Sequence, residues 1–287
     1  MPDLNEKLLR RVVEAALSED IETGDVTSRA TIPAGCEARG KFVAKEAGVL
    51  CGIPVVAEVF RTLDASIELD LTLGEGERFA AGATLAGVRG KARPILSGER
   101  LALNFLQRLS GIATLTRRMV EMVADLPVRV VDTRKTTPGL RFLEKYAVRT
   151  GGGSNHRFSL AEAVLIKDNH IVASGGIREA VERARAFVPS GMTVEVETES
   201  EAQVREALAA GADVIMLDNM SPAEMRRMVE LIGGQALVEA SGNVSEDSIR
   251  PIAETGVDIV SVGALTHSAP ALDIGLDLEL AGSRAPR

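Results

Sequence analysis

Short apolar runs rich in valine and isoleucine recur through the second half of the chain, and a segment able to form a helix follows each of them. Strands and helices that alternate over short connections are typical of a parallel sheet, because parallel neighbours need a crossover between them. No Gly-x-Gly-x-x-Gly motif follows the first run, which argues against a dinucleotide-binding Rossmann fold. We therefore expect an α/β fold with an incomplete, TIM-like barrel. From Val128 onward the runs are VRVVDT, AVLIKD, TVEVET, VIMLDN, LVEASG and IVSVGA.

The first third of the chain has a different pattern. Residues 37–91 combine partly alternating strand segments with glycine-rich turns. A long helical region is predicted to open at Pro94 and to break near Gly111. The expected domains are an N-terminal α/β domain over residues 1–112 and the barrel domain over residues 113–272, with the tail 273–287 packing back on the first domain.

The composition excludes several classes of protein. The chain has 287 residues, which is more than one hydrophobic core usually holds. Its net charge of -8 argues against a general nucleic-acid binder, and no apolar stretch approaches the ~18 residues of a membrane span. Two cysteines are too few for a disulfide framework or a zinc site. We expect a cytoplasmic protein that binds neither nucleic acid nor membranes.

One segment of this acidic chain is cationic. Residues 132–170 contain seven Lys or Arg against four Asp or Glu, a local charge of +3, together with two of the three histidines. Such a segment predicts a site for a small, highly charged anion. For Arg141, Lys145 and Arg149, which are spaced four apart, a solvated helix face is the simpler interpretation.

Each of the six apolar runs ends in polar residues or glycine. In an α/β barrel the carboxyl ends of the strands converge on one face, where active sites are built. Residues that are distant in the sequence are therefore expected to meet around one mouth, where Arg and Lys neutralise carboxylates or phosphates. The candidates at or near these ends are Thr133, Arg134, Lys135, His156, Arg157, Lys167, Glu197, Asp218, Ser241, Gly242, Asn243, Ser261 and Gly263.

Glycines accompany several of these candidates. Three consecutive glycines, Gly151 to Gly153, predict a loop that lies against a ligand and presents His156 and Arg157. Glycines in Ser241–Asn243 and Ser261–Gly263 let backbone amides approach a phosphate, which late barrel strands often bind. Either of these last two glycines, taken alone, is equally consistent with an ordinary turn.

Two acids, Glu197 and Asp218, follow strands on the same expected face as the cations. Acids beside a cationic pocket indicate contacts to ribose hydroxyls, a magnesium ion, or stabilisation of a developing positive charge. His267 is isolated in the sequence and is interpreted as structural. Ser200 and Ser221 precede two predicted helices and are predicted N-caps.

Several separate motifs carry a resemblance to a known family. The central one is DTRKTTPGLRFLEKYAVRTGGGSNHRFSLAEAVLIKDNHI, and GERLALNFLQRLSGIAT, VEVETES, VIMLDNMS, EASGNVS and SVGALTHSAPALD accompany it in the same order. Together they resemble the quinolinate phosphoribosyltransferase family, from the N-terminal helix to about Asp277. Thr137 and Thr150 depart from the family pattern, in which an apolar residue or Cys is expected, but neither alters the charge.

The resemblance implies an N-terminal α/β sandwich domain, an α/β barrel, and a homodimer in which Arg100 reaches quinolinate in the partner's site. The implied catalytic residues are Lys135, Lys167, Glu197 and Asp218. Of these, Glu197 and Asp218 would serve the ribose and hold Mg²⁺ directly or through water. The rest of the quinolinate and pyrophosphate pocket would be Arg134, Lys135, His156, Arg157 and Lys167, with Ser241 to Asn243 and Gly263 on the 5-phosphate.

The resemblance also implies a reaction. Phosphoribosyl pyrophosphate would react with quinolinate to give nicotinate mononucleotide, pyrophosphate and carbon dioxide, in the synthesis of NAD. Two alternatives keep the barrel: a homologue of the molybdenum-transport-associated type, and a lyase that forms a Schiff base through Lys167. A third alternative is a catalytically silent nucleotide-binding protein, in which the acids at Glu197 and Asp218 would be expected to be lost.

Overall fold

A computed structural model describes residues 4–280 of the chain, which form two compact units. Within that range, residues 4–115, 138–152 and 269–280 make the first unit, and residues 116–137 and 153–268 make the second. None of the helices in the described range combines the length and the apolar character that crossing a bilayer requires. In chain order the elements are α1 (Glu6–Ile21), α2 (Val26–Thr31), β1 (Glu37–Ala44), β2 (Gly48–Val49), α3 (Ile53–Leu63), β3 (Glu68–Leu71), β4 (Arg78–Phe79), β5 (Thr84–Lys91), α4 (Ala92–Met122), β6 (Arg129–Val131), α5 (Arg141–Thr150), β7 (Val164–Ile166), α6 (Asp168–Ser174), α7 (Ile177–Phe187), β8 (Val194–Thr198), α8 (Glu201–Ala209), β9 (Val214–Asp218), α9 (Pro222–Ile232), β10 (Leu237–Ser241), α10 (Ile249–Ala253), β11 (Ile259–Ser261), α11 (Ala264–His267) and β12 (Ile274–Leu280).

The first unit is built on an antiparallel sheet with the strand order β12-β1-β5-β3. Residues of β1 alternate between exposed and buried, because only one face of this sheet is covered. Phe42 lies on the covered face, opposite Ala86 of β5 and Leu276 of β12. Helices α1 and α3 pack against each other within the same unit.

The region predicted to break near Gly111 is one continuous helix, α4, so that prediction is wrong. A Cβ atom at position 111 would lie 1.9 Å from the carbonyl oxygen of Pro270, and this close approach within the first unit explains the glycine. The helix begins at Ala92, and Pro94 fits in its first turn because an amide there needs no intrahelical partner. The predicted domain boundary at residue 112 falls inside this helix.

Helix α5 differs from the sequence predictions in two respects. Residues 138–152, which the sequence places in the barrel domain, cluster with the first unit. The interpretation of Arg141, Lys145 and Arg149 as a solvated face is wrong for Lys145, which is only 1% exposed. Spacing defines a face of a helix but not what covers it, and seven of the ten residues of α5 are buried.

The second unit is a six-stranded parallel sheet with the order β7-β8-β9-β10-β11-β6. From β7 to β11 the strands are neighbours in chain order, and the first strand, β6, lies beside the last. This is the strand succession of a barrel left open between β6 and β7. The α/β fold class with an incomplete barrel is thus confirmed.

Helices connect these strands, as the alternation predicts. The hydroxyl of Ser221 accepts from the amide of Glu224, and the Glu224 carboxylate accepts from the amide of Ser221, which makes a reciprocal capping box. Ser200 caps α8 through the amide of Gln203. Both predicted N-caps are confirmed.

Candidate active site

Side chains alternate across each strand of the second unit, so residues two apart share a face. On β8 the acids Glu195 and Glu197 share one face, and Val194, Val196 and Thr198 share the other. The first face carries nearly all of the polar chemistry of this sheet. Its pairs are Leu165 and Lys167, Glu195 and Glu197, Met216 and Asp218, and Glu239 and Ser241.

A cavity of about 390 Å³ opens at the carboxyl ends of these strands. It brings together most of the residues predicted from the strand ends. Leu165, Met216 and Glu239 also line it, although the sequence analysis did not select them. The predicted residues that line it are Thr133, Arg134, Lys135, His156, Arg157, Lys167, Glu197, Asp218, Ser241 and Ser261.

The cations of the cavity are held by specific partners. The guanidinium of Arg157 donates through Nη1 to the carbonyl of Ala163 at 2.9 Å. Burial and the nearby charge of Arg134 lower the pKa of Arg157. The ammonium of Lys167 forms an ion pair with Glu197. A Schiff-base lysine has to present its amine to a carbonyl carbon, whereas the side-chain nitrogen of Lys167 is engaged by Glu197, so this contact disfavours the lyase alternative.

Asp218 and Ser241 lie at the ends of the adjacent strands β9 and β10, and Asn219 is hydrogen-bonded to both residues. The Asn219 amide nitrogen Nδ2 donates to Asp218 at 2.7 Å, and its backbone amide donates to the carbonyl of Ser241 at 3.0 Å. Gly242 has φ of +107°, and a Cβ there would lie 2.3 Å from Oδ1 of Asn219. Only glycine fits this position, because any side chain would displace the residue that holds Asp218.

His156 lies over two buried acids. Its Nε2 is 3.2 Å from Glu195 Oε2 and 3.4 Å from Glu239 Oε2. Its Nδ1 accepts from the amide of Arg157 at 2.8 Å, and its own amide donates to Asp132 at 2.9 Å. Both ring nitrogens therefore have protein partners.

The His156 cluster shares protons. Burial lowers the pKa of His156, but the hydrogen bonds with Glu195 and Glu239 outweigh burial and raise it to about 10. Burial also raises the pKa of Glu195. Titration belongs to the cluster rather than to one residue. Because the Arg157 amide donates to Nδ1, we place one proton on Nε2 and the second on the carboxylates rather than on Nδ1.

Four predicted residues are not among those that line the cavity. Gly242 and Asn243 directly follow Ser241, which does line it. A Cβ at Gly263 would lie 3.1 Å from both Lys135 Cδ and His267 Nε2, so glycine lets these side chains come close. His267, interpreted as structural, is thus a neighbour of Lys135. Arg100 is an exposed residue of α4 in the first unit.

The strand-end pattern does not include Glu195 and Glu239, because it covers only the last residues of each run. Both acids are visible in the sequence two residues before the polar strand end, in TVEVET and LVEASG. An acid in an otherwise apolar, buried strand is unusual, since burying a carboxylate costs free energy. Because of that cost, an acid in such a strand indicates a functional role by itself.

Two family models match the chain in succession. The model of the quinolinate phosphoribosyl transferase N-terminal domain matches residues 25–110, and that of the C-terminal domain matches residues 112–277. The chain belongs to the quinolinate phosphoribosyl transferase family. The C-terminal family domain contains every residue that lines the cavity.

Named relatives agree with membership of the quinolinate phosphoribosyl transferase family. A probable nicotinate-nucleotide pyrophosphorylase (carboxylating) of Bacillus subtilis is 45% identical over 96% of this chain and 96% of its own length. Quinolinate phosphoribosyltransferase (decarboxylating) 1b of Nicotiana tabacum is 42% identical over 95% of this chain and 83% of its own. The crystal structure of NadC from Streptococcus pyogenes has a TM-score of 0.94 at 43% identity and covers 98% of this chain and 100% of that one.

Proposed function

We propose that this chain catalyses the reaction after which its family is named. It transfers the phosphoribosyl group of phosphoribosyl pyrophosphate to quinolinate with loss of carbon dioxide, and it produces nicotinate mononucleotide and pyrophosphate for NAD synthesis. The observation that carries the proposal is one cavity that places four cations beside carboxylates at the carboxyl ends of the strands. Such a cavity suits two small, highly charged anions that react with each other.

The cavity has two ends with different chemistry. Arg134 and Arg157 lie near each other, and their forked donors match the two carboxylates of quinolinate. Lys135 lies by Gly263, and Ser241 and Ser261 line the wall formed by the late strands. Late barrel strands commonly hold phosphate, so we place the 5-phosphate there.

The reaction needs charge stabilisation rather than a protein nucleophile. The lone pair of the quinolinate nitrogen forms a bond to C1 of the ribose, and the bond from C1 to pyrophosphate breaks with its electrons leaving on oxygen. Glu197 and Asp218 face the positive charge that develops on the sugar, while Lys135 and Lys167 stabilise the leaving group. Holding both anions in one cavity removes association entropy from the barrier.

Decarboxylation follows from the new bond. The ring nitrogen becomes cationic, so the carbon next to it can keep the electron pair when its carboxylate leaves as carbon dioxide. A proton from solvent then takes the place of that carboxylate. Arg134 and Arg157 contribute by fixing the plane of the ring before the bond breaks.

Glu197 and Asp218 are the residues that we propose to hold Mg²⁺, directly or through water. Both line the cavity, and carboxylate oxygens are ligands that Mg²⁺ accepts together with water and substrate phosphates. When bound, the ion would neutralise charge on the pyrophosphate. Lys167 pairs with Glu197 and Asn219 with Asp218, so each carboxylate is held in place by a protein partner.

We also propose a homodimer in which Arg100 completes the site of the partner. Arg100 is exposed on α4, and no residue of the cavity lining within residues 4–280 comes from that helix. Mixing Arg100→Ala subunits with Lys167→Ala subunits tests this. Restored activity in the mixture supports shared sites, whereas two inactive populations that stay inactive contradict them. The cytoplasmic location stays a prediction.

A direct assay tests the main proposal. Purified protein is incubated with quinolinate, phosphoribosyl pyrophosphate and Mg²⁺, and nicotinate mononucleotide and carbon dioxide are measured. Both products should form in equal amounts. Nicotinate and nicotinamide should fail as substrates, because neither has the second carboxylate for the cationic end of the cavity. Failure with quinolinate, or turnover of nicotinate at a similar rate, would contradict the proposal.

A further inference from the structure

Glu195 and Glu239 form the floor beneath His156 and have no part in the function proposed above. They are 4% and 1% exposed, and in each the oxygen Oε1 has no hydrogen-bond partner within the described part of the chain. Two buried carboxylates cost free energy unless another group compensates them. Their other oxygens both face Nε2 of His156.

The contacts of His156 identify the kind of cluster. Three such side chains could hold a metal ion, since their ligand atoms lie within 4.8 Å of one another. A histidine that binds a metal through Nε2 offers its lone pair there and donates from Nδ1. Here Nδ1 accepts from the Arg157 amide, so the proton is on Nε2 and points at the two acids. The geometry is that of a hydrogen-bonded cluster.

The cluster is connected directly to the cationic end of the cavity. The ring of His156 receives the amide of Arg157, whose guanidinium lies in the cavity beside Arg134. Two neighbouring guanidinium groups repel each other, so their positions have to be imposed by the surrounding structure. The hydrogen bond from Arg157 to Ala163 fixes one side of that guanidinium.

We propose that Glu195 and Glu239 are positioning residues: they hold His156 through Nε2, and His156 holds the Arg157 backbone through Nδ1. The guanidinium of Arg157 is thereby presented to the aromatic dicarboxylate. The identity of that ligand rests on the proposed function, whereas the positioning is a property of the free protein.

Matched variants test the positioning. The double variant Glu195→Gln/Glu239→Gln keeps acceptors for Nε2, whereas the double variant Glu195→Met/Glu239→Met has side chains of similar size and removes both acceptors. The Gln double variant should keep the calorimetric Kd for quinolinate within about threefold, while the Met double variant weakens it about tenfold or more. In turnover assays the Met double variant should raise the KM for quinolinate more than it lowers kcat.

Glu58 provides a control. It is an acid of the first unit that is also buried and ion-paired, with Arg61. Glu58→Met should lower the thermal midpoint but leave the Kd for quinolinate unchanged. A Met double variant that binds quinolinate as the wild type does would overturn the proposal.

Nitrogen NMR gives a readout that does not depend on activity. The chain has three histidines, so protein with ¹⁵N-labelled histidine yields a simple spectrum that single His→Gln variants assign. Free wild-type protein should show His156 with Nε2 protonated and Nδ1 unprotonated, a pattern kept in the Gln double variant and lost in the Met double variant. Protonation of both nitrogens, or Zn²⁺ binding that the Met double variant abolishes, would overturn the proposal. The expected NMR pattern without any binding of quinolinate would support the positioning and contradict the proposed function.

Discussion

Side chains alternate between the two faces of a strand in both units, but the charged face is exposed to solvent in the first unit and lies in the enclosed site in the second. On β1 of the first unit, Arg39 and Lys41 are exposed while Phe42 is buried, so the charged face meets water. On β8 of the second unit, Glu195 and Glu197 share a face on which Glu195 is buried. An antiparallel sheet can leave one face to solvent, whereas a parallel sheet with connecting helices is covered. Alternating charge therefore indicates a functional site only where both faces of the strand are enclosed.

The largest effect is expected at Arg134, in the cavity of the second unit. Arg134→Ala should weaken quinolinate binding by about a hundredfold or more, because a carboxylate of the bound quinolinate would lose its counter-ion inside the cavity. The thermal midpoint should change little. Arg39→Ala, on the exposed face of β1, is the control and should leave the Kd for quinolinate unchanged. Calorimetry and thermal unfolding measure both quantities, and a large fall in the midpoint would make Arg134 structural instead.

Gly242 tests whether packing at a strand end affects the site. In Gly242→Ala the new Cβ meets Asn219, so Asp218 should shift and kcat/KM for phosphoribosyl pyrophosphate should fall about tenfold or more, a loss of ~1.4 kcal/mol or more in transition-state stabilisation. Gly234→Ala is the matched control, since Gly234 also has positive φ but has open space around it. Equal losses in the two variants would mean that backbone strain, rather than displacement of Asn219, is responsible.

The buried cluster of the second unit predicts a dependence of stability on pH. Against the lowering effect of burial, the hydrogen bonds with Glu195 and Glu239 raise the pKa at His156 to about 10, above its usual value near 6.5. Because Nδ1 accepts from the Arg157 amide, the extra proton belongs to the cluster of the three side chains. The folded protein thus holds a proton that the unfolded chain loses earlier. This stabilisation is fully present below about pH 6.5 and is lost as the pH rises to about 10. The midpoint temperature of thermal unfolding should therefore decrease as the pH is raised from about 6.5 to about 10. His156→Gln should flatten the fall, and an unchanged slope would contradict the assignment.

The smallest effect is expected on the exposed face of the first unit. Arg89 pairs with Glu68, and both side chains are 62% exposed. Arg89→Ala should change the free energy of unfolding by no more than about 0.5–1 kcal/mol, because water screens the pair. Urea unfolding measures this. A loss of several kcal/mol would show that charge on the first unit's sheet matters as much as charge on the second's.

Much of the fold and of the cavity lining could be predicted from the sequence. The strands of the second unit coincide with the six apolar runs, and their ends carry Lys167, Glu197, Asp218 and Ser241 in the positions that meet. These strands can be predicted because a buried parallel strand is a short run of apolar residues in the sequence. The cavity residues can be predicted because the carboxyl ends of parallel strands lie together, independently of how the helices pack.

The remainder depends on contacts that no local pattern encodes. Lys145 is buried although its spacing with Arg141 and Arg149 is that of an exposed helix face, and Gly111 is required by Pro270, which is distant in the sequence. The grouping of residues 138–152 with the first unit is likewise set by tertiary packing. Glu195 could have been found by extending the alternation inward from Glu197, but its pairing with His156 could not.

The strand order has a consequence for synthesis of the chain. In the first sheet β1 lies between β5 and β12, and in the second β6 lies beside β11, so both sheets are completed by strands from the last thirty or so residues described. About 130 residues separate β6 from its partner β11. At synthesis rates of ~5–20 residues per second, β11 is made roughly 6–26 seconds after β6. During that interval a nascent chain exposes unpaired strand edges in both units, and shielding from other chains matters most then.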